Sequence, residues 1–187
     1  MNNLEKLLVE NPIIAAIRND DDLECALKSN VKIVFVLYGT LLNISDICGK
    51  LKKAGKVVFI HLDLIDGLKE DISGIEFIKK VVNPEGIIST KTSIIRNSRR
   101  FDLLVILRIF ILDSLALETG IKNIQDTHPD AIEMLPGPAC KKIPEVEEKV
   151  NVPIISGGII VEKKDIINSL SQGAVAISTS TRKLWSL

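Results

Sequence analysis

The chain has 187 residues, of which 46% are hydrophobic, and its formal net charge is zero at pH 7. This length and composition predict a single domain, residues 1–187, that buries one substantial core. A neutral chain has no global positive field to attract nucleic acid or a membrane surface, so any nucleic-acid site must be a local patch.

Short runs rich in β-branched residues recur along the chain and alternate with helical patterns. The eight predicted strands are Ile13–Arg18, Ile33–Tyr38, Val57–Asp63, Gly86–Thr90, Leu103–Phe110, Ala131–Leu135, Val152–Ser156 and Ala174–Thr179. Their first residues lie 17 to 29 positions apart, which is the length of a strand, a loop and a short helix. The predicted helices are Asp21–Ser29, Asn43–Ala54, Ile72–Val82, Asp113–Gln125 and Lys163–Ser171. We expect Lys91–Arg100 to be a shortened helical unit.

Eight strands that alternate with helices predict a parallel sheet, and strands that are apolar along most of their length suit burial on both faces. We therefore predict an α/β fold, a small (β/α)8 barrel with a closed parallel sheet. An open doubly wound sheet is the structural alternative. Such a sheet usually has its glycine-rich phosphate loop after the first strand, and the residues from Arg18 to Asp21 contain no glycine. The barrel is favoured, although the chain is short for one.

Polar side chains occur at the C-terminal ends of the predicted strands, where barrel proteins carry their functional residues. Arg108 and Glu133 interrupt apolar runs, and because a lone buried charge is costly, each must pair or face a polar cavity. We expect a ligand site at the barrel mouth that is lined by Arg18, His61, Asp63, Lys91, Arg108 and Glu133. An internal salt-bridge network, Arg108 with Glu133 or Asp63, is the alternative interpretation.

Two segments near the C-terminus end in small residues, a glycine pair in one and a Ser-Thr-Ser turn in the other. In a (β/α)8 barrel the loops after the last two strands bind phosphate through backbone N–H groups. We therefore predict a phosphate site formed by Gly157, Gly158, Ser178, Thr179 and Ser180, with a small phosphorylated metabolite as its ligand. Two ordinary turns are the alternative, because Gly and Ser are common in turns.

Arg96, Arg99 and Arg100 form the strongest local cluster of positive charge. Their i, i+3, i+4 spacing places them on one face of a helix, with Lys91 nearby. A solvated helical face is the ordinary meaning of such a cluster, whereas an RNA backbone is the partner that would suit it. The predicted RNA patch is Lys91, Arg96, Arg99 and Arg100.

The first residues and the cysteines bear on the cellular compartment. The N-terminal residues do not form a signal peptide, and no apolar run reaches the ~18–20 residues that span a bilayer. Cys25, Cys48 and Cys140 are far apart and odd in number, so we predict free thiols, with neither a disulfide framework nor a zinc site. We expect a cytoplasmic protein without a metal site and without a membrane partner.

Seven segments carry a resemblance to one known family: Asn11–Arg18, His61–Leu68, Gly86–Lys91, Arg108–Ser114, Pro129–Gly137, Pro153–Ile160 and Ser178–Trp185. The strings Arg-Ile-Phe-x-x-Asp-Ser and Ile-Glu-x-Leu-Pro-Gly are its most specific parts. Together the segments resemble the glycerol-3-phosphate-responsive antiterminators, regulators of glycerol uptake operons in bacteria. The resemblance implies a small barrel that binds glycerol 3-phosphate, uses no cofactor, and acts on leader mRNA to prevent transcription termination. It leaves the oligomeric state open, and a homo-oligomer is compatible with it.

A phosphosugar enzyme of the aldolase or epimerase type is the alternative function, because such enzymes share the phosphate site. An epimerase needs further metal-ligating His and acidic residues at strand ends, and the chain has only His61 and His128, of which His128 is expected in a turn before the sixth strand. An aldolase needs a lysine with a lowered pKa, for which Lys91 is the one strand-end candidate. We therefore predict a regulator without catalytic residues.

Overall fold

A closed barrel of eight parallel strands forms the centre of the computed structural model, which describes residues 3–187. The strands are β1 Ile13–Ile17, β2 Ile33–Val36, β3 Val57–His61, β4 Gly86–Ser89, β5 Leu104–Phe110, β6 Ala131–Leu135, β7 Ile154–Gly157 and β8 Ala176–Thr179. Each strand pairs with the next in the chain, and β8 pairs with β1. The predicted (β/α)8 barrel is confirmed, because an open sheet would leave two unpaired edge strands.

Helices connect the strands and cover the outside of the barrel. They are α1 Asn3–Glu10, α2 Asp20–Lys28, α3 Ile44–Lys53, α4 Ile72–Phe77, α5 Thr92–Ser98, α6 Ser114–Thr127, α7 Ile143–Glu147 and α8 Lys163–Ser171. The shortened unit expected at Lys91–Arg100 is the seven-residue α5 with a 3-10 turn at Arg99–Phe101. The sequence pattern does not predict α1, which precedes the first strand, or α7, which has only five residues. No helix within residues 3–187 is both long and apolar enough to cross a membrane.

The interior of the barrel is filled at its N-terminal end. Alternate strand residues point inward, and the inner cluster comprises Leu4, Leu8, Ile14, Ala16, Ile33, Phe35, Phe59, Ile88, Ile106, Ala131, Ile155 and Ala176. The two leucines come from α1, which therefore closes this end. The rings of Phe35 and Phe59 meet edge to face, with centroids 5.7 Å apart. The same alternation carries polar residues inward only near the C-terminal ends of the strands, where a site can form.

Candidate functional site

The C-terminal end of the barrel contains a cavity of about 240 Å³, which we call the mouth cavity. Its lining comprises Ala16, Arg18, Leu37, Arg108, Glu133, Leu135, Gly158, Ile159, Ile160, Val161, Ser178, Thr179, Ser180 and Thr181. Cavities that hold drug-sized molecules are usually larger. The mouth cavity therefore suits a small metabolite.

A buried ion pair forms the floor of the mouth cavity. Parallel pairing of β5 and β6 sets Arg108 directly beside Glu133, and the Nε of Arg108 donates to Oε2 of Glu133 at 2.6 Å. The other oxygen of Glu133 accepts a hydrogen bond from the hydroxyl of Ser178. Within residues 3–187 no hydrogen bond uses the Nη atoms of Arg108. The Arg108–Glu133 pair proposed as the alternative interpretation does form, and it still leaves guanidinium donors for a ligand.

The two glycines after β7 have different structural roles. A Cβ on Gly157 would lie 2.3 Å from Oγ of Ser178 and 2.9 Å from Oε1 of Glu133, so Gly157 leaves room for their hydrogen bond and does not line the cavity. Gly158 lines the cavity in the left-handed region, with φ of +72°. Its carbonyl accepts from the N–H of Gly137 at 2.7 Å, which ties the loops after β6 and β7 together.

Residues at the end of β8 join the neighbouring loops and also line the mouth cavity. The hydroxyls of Thr179 and Thr181 both donate to the carbonyl of Ile160, at 2.8 and 2.9 Å, and so join the loops after β7 and β8. Nε1 of Trp185 donates to the carbonyl of Thr179 at 2.9 Å, which anchors the C-terminal segment. Ser180 also lines the cavity, and no hydrogen bond among residues 3–187 uses its hydroxyl.

Arg18 lies at the rim of the mouth cavity, directly after β1. Its backbone N–H donates to Oδ2 of Asp22 at 2.9 Å, and Oδ1 of the same carboxylate accepts from Nε of Arg182 at 2.6 Å. Asp22 is buried and is not among the residues that the sequence predicts for the site. The spacing of Asn19 and Asp22 at the start of a helix is the sequence signal that could have identified Asp22. In the structure, Oδ1 of Asn19 caps α2 by accepting from the N–H of Asp22.

His61 and Asp63 lie outside the lining of the mouth cavity. Asp63 follows β3 in a 3-10 turn, and its carboxylate accepts from the hydroxyls of Ser89 and Thr90 and from the N–H of Thr90. Burial acts to raise the pKa of Asp63, but these hydrogen bonds outweigh it and lower that pKa. The carboxylate thus holds the loop after β4 in place. His61 is buried, and its Nδ1 has no hydrogen-bond partner within residues 3–187.

Lys91 and the three arginines lie apart from the mouth cavity. Lys91 pairs with Glu70 at the start of α5, the end of that helix nearer the barrel mouth. Arg96 is on α5, whereas Arg99 and Arg100 are in the turn that follows and leads into the N-terminal end of β5. All three arginines are exposed, and none has an acidic partner among the residues that the structure describes.

The buried imidazole of His61 predicts a stability that falls in acid. Burial and the nearby charge of Arg108 lower the pKa of His61 from 6.5 to about 4. Between these values the unfolded chain binds more protons than the folded chain, so stability is full above about pH 6.5 and decreases as pH falls toward 4. We expect this residue to account for a loss of about 3 kcal/mol, since each pKa unit corresponds to about 1.4 kcal/mol.

The measurement is the free energy of unfolding in urea from pH 7 to pH 4. His61→Gln should flatten the dependence on pH, because glutamine does not titrate in this range. His128→Gln is the matched control, since His128 is exposed in the turn before β6 and is the only other histidine. Equal slopes for the wild type and His61→Gln would contradict the prediction.

The barrel and its mouth residues can be compared with known proteins. The family model for the glycerol-3-phosphate responsive antiterminator matches residues 13–185. The chain belongs to this family. The resemblance seen in the sequence motifs is therefore confirmed, and it covers the barrel from the first residue of β1 to Trp185.

Three relatives match this antiterminator-family chain over more than nine-tenths of its length, and two of them are named as glycerol uptake operon antiterminators or related proteins. The Escherichia coli K12 protein YgcP is 39% identical over 181 residues, 97% of this chain and 95% of that protein. The glycerol uptake operon antiterminator regulatory protein from Listeria monocytogenes is 33% identical, with a TM-score of 0.89 over 92% of this chain and 94% of that one. The antiterminator-related protein from Thermotoga maritima is also 33% identical, with a TM-score of 0.83 over 94% and 98%.

Barrel enzymes are more distant from this antiterminator-family chain. A deoxyribose phosphate aldolase from Aeropyrum pernix is 11% identical with a TM-score of 0.69, and an N-acetylmannosamine-6-phosphate 2-epimerase from Clostridium perfringens is 13% identical with a TM-score of 0.71. At this identity the likeness shows the fold alone.

Proposed function

We propose that this antiterminator-family protein senses glycerol 3-phosphate in the mouth cavity and binds leader mRNA, so that transcription of glycerol-utilisation genes is not terminated. The observation that carries the sensing step is the buried pair of Arg108 and Glu133 beneath a small cavity whose wall includes Gly158 and Ser180. A phosphorylated polyol needs anion donors at one end and mixed donors and acceptors at the other, and these residues offer both.

The charges in the mouth cavity suggest how the ligand is oriented. The phosphate is placed beside Gly158, Ser180 and Arg18, where the loop after β7, the end of β8 and a cationic rim converge. The glycerol hydroxyls then face Arg108 and Glu133, because the Nη atoms donate and the carboxylate accepts. The reverse orientation would bring the doubly charged phosphate close to the carboxylate of Glu133. The single positive charge of Arg108 is already paired with that carboxylate and would not neutralise the phosphate as well.

A regulator fits these contacts better than an aldolase or an epimerase does. Lys91, the strand-end lysine, pairs with Glu70 outside the mouth cavity, so it is not placed to form a Schiff base with a ligand there. Both oxygens of Glu133 already accept hydrogen bonds, which reduces its capacity to act as a general base. His61 also lies outside the cavity. These contacts support a protein that holds its ligand unchanged.

The proposed RNA step has its support in the family and in the distribution of charge. The net charge is zero, so RNA phosphates need a local patch, and Arg96, Arg99 and Arg100 are exposed without acidic partners in the part of the chain that the structure describes. We assign the phosphate contacts to these three arginines. Lys91 is a weaker candidate, because Glu70 neutralises its charge. The protein is expected to act in the cytoplasm, where leader transcripts are made.

A carboxylate at position 180 should weaken the binding of glycerol 3-phosphate. Isothermal titration calorimetry of the wild type with glycerol 3-phosphate should give saturable binding, and Ser180→Asp should weaken it roughly 5- to 900-fold. Two like charges 4 Å apart repel by about 1 kcal/mol in water and by about 4 kcal/mol at an effective dielectric constant of 20. Ser186→Asp, which adds the same charge at an exposed position beyond Trp185, should bind as the wild type does.

Two further titrations complete this test. Glycerol and inorganic phosphate should each bind more weakly than glycerol 3-phosphate, because each occupies half of the site. Absence of binding by the folded wild type, or equal affinity in Ser180→Asp, would show the proposal of a phosphate site at the mouth to be wrong. Binding of the leader transcript with and without glycerol 3-phosphate measures the regulatory step.

A further inference from the structure

A second cavity, of about 450 Å³, lies beside the mouth, between the end of β5 and α6; we call it the side cavity. The residues of its lining that carry polar groups or an aromatic ring are Thr90, Arg108, Phe110, Asp113, Thr119 and Asn123. The seven-residue α5 precedes β5 in the chain and packs against α6. Arg108 is among the residues that line both the side cavity and the mouth cavity, so the two cavities meet at this position of β5.

An exposed aromatic ring stands at the edge of the side cavity. Phe110 ends β5 and is 46% exposed, whereas the other aromatic side chains of the chain are buried or partly buried. Leu112 and Leu115 nearby are 81% and 71% exposed. An exposed ring next to a cavity is a platform on which a nucleobase can stack, and single-stranded RNA is recognised mainly in this way.

The polar groups and charges of the side cavity favour a base over a phosphate. Thr119 and Asn123 on α6 and Thr90 after β4 offer donors and acceptors for a base edge, and Asp63 holds Thr90 in place. Asp113 brings a negative charge that would repel a phosphate. The three exposed arginines lie outside the cavity, on α5 and the turn after it, and α5 packs against α6, whereas the charge of Arg108 is paired with Glu133. Bases in the cavity and phosphates on the arginines thus match the charge of this surface.

We propose that the side cavity receives one unpaired base of the leader RNA, stacked on Phe110, and that Arg108 couples this base to the ligand. The inference rests on the proposed function and names the RNA contact that regulation would use. A ligand that binds the Nη atoms of Arg108 and shifts this part of β5 would change the wall of the side cavity, because Arg108 belongs to both linings. Because coupling between two binding sites is reciprocal, RNA must change the affinity for the ligand by the same factor.

The test is fluorescence anisotropy with a fluorescein-labelled pool of random 20-nucleotide RNAs, with and without glycerol 3-phosphate. Phe110→Ala should weaken RNA binding roughly 5- to 150-fold, the range for removal of one stacked base. Its plot of log affinity against log salt should keep the wild-type slope, because the arginines still bind the same phosphates. Phe110→Tyr should restore binding, and Leu42→Ala, at an exposed apolar position after β2, should have no effect.

The Arg96/Arg99/Arg100→Ala variant provides the contrasting result. It should weaken RNA binding and flatten the salt dependence by about 0.7 for each RNA phosphate that the variant no longer neutralises. Glycerol 3-phosphate should change the RNA affinity of the wild type by a larger factor than that of Phe110→Ala. With 4-thiouridine in the pool, photocrosslinking should attach RNA to the peptide that contains Phe110.

Three outcomes would overturn the assignment. Wild-type RNA affinity in Phe110→Ala would show that the side cavity is not the base site, while the proposed RNA-binding function would stand. No RNA binding by the wild type would remove both the RNA step and this assignment, while calorimetry with glycerol 3-phosphate would still decide the sensing step. A change of oligomeric state in Phe110→Ala by light scattering, with RNA affinity unchanged, would make this surface an interface between copies of the chain.

Discussion

Replacing Glu133 by alanine is expected to lower the free energy of unfolding by about 3–5 kcal/mol, the cost of removing one partner from a buried ion pair. Glu133 is 1% exposed and Arg108 8% exposed, so both charges are largely shielded from solvent. The change leaves the guanidinium of Arg108 without its carboxylate and the hydroxyl of Ser178 without its acceptor. Urea denaturation followed by circular dichroism measures the decrease.

The double variant Arg108→Met/Glu133→Leu separates the role of the pair in stability from its role in binding. Apolar residues of similar volume often replace a buried ion pair without loss of stability, so the double variant should recover most of the free energy that Glu133→Ala removes. It should nevertheless fail to bind glycerol 3-phosphate, because it retains neither the guanidinium donors nor the carboxylate.

The exposed pairs of Glu145 with Lys142 and Lys149 serve as the control, and Glu145→Ala should have little effect on stability. A double variant that is as unstable as Glu133→Ala would contradict this account, since the cost would then not come from the unpaired charge. A stable double variant that still binds glycerol 3-phosphate would remove Arg108 and Glu133 from the ligand site.

Gly86→Ala is expected to destabilise the barrel by about 3 kcal/mol, the upper part of the usual range for overpacking a core. A Cβ at Gly86 would lie 2.4 Å from the carbonyl oxygen of Leu104 and 2.6 Å from Cε1 of Phe59. The first contact is with the backbone of β5, which is paired with β4 and cannot move away freely. The absence of a side chain at Gly86 thus makes room for the Phe59 ring that fills the barrel.

Gly49→Ala is the matched control for Gly86→Ala. Gly49 lies within α3, and a Cβ there would meet no atom within 4 Å. Alanine at this position should stabilise the protein by about 0.5–1 kcal/mol, because it restricts the unfolded chain and favours the helix. Adding Phe59→Leu to Gly86→Ala should recover only part of the stability, since the contact with the Leu104 carbonyl remains. Equal stability of the two single alanine variants would contradict the packing argument.

The proposed ligand site and the arginine cluster lie toward opposite ends of the barrel. The mouth cavity is at the C-terminal ends of the strands, whereas Arg99 and Arg100 precede β5 at its N-terminal end. The side cavity lies between the mouth and the α5–α6 flank that carries Arg96. An RNA strand that follows this flank would reach Phe110 and the side cavity, as the proposed coupling between the small metabolite and RNA requires.

The sequence alone determined the architecture and the central pair of the candidate site. Eight β-branched runs at regular intervals leave few arrangements other than a closed parallel sheet, because each run must bury both faces. Arg108 and Glu133 stood out for a local reason, since each interrupts an apolar strand and a buried charge requires a partner. Parallel pairing of β5 and β6 then brings the two residues side by side.

Only the tertiary structure decided which strand-end residues share the mouth cavity. Asp63 binds Ser89 and Thr90, and Lys91 binds Glu70, so neither side chain belongs to the lining of the mouth cavity. Gly157 has no side chain and so leaves room for the hydrogen bond between Ser178 on β8 and Glu133 on β6, the strands on either side of β7. Sequence periodicity gives the direction of a side chain within its own strand. Its partner depends on the register of neighbouring strands and on the paths of loops, which form through contacts between residues far apart in the chain.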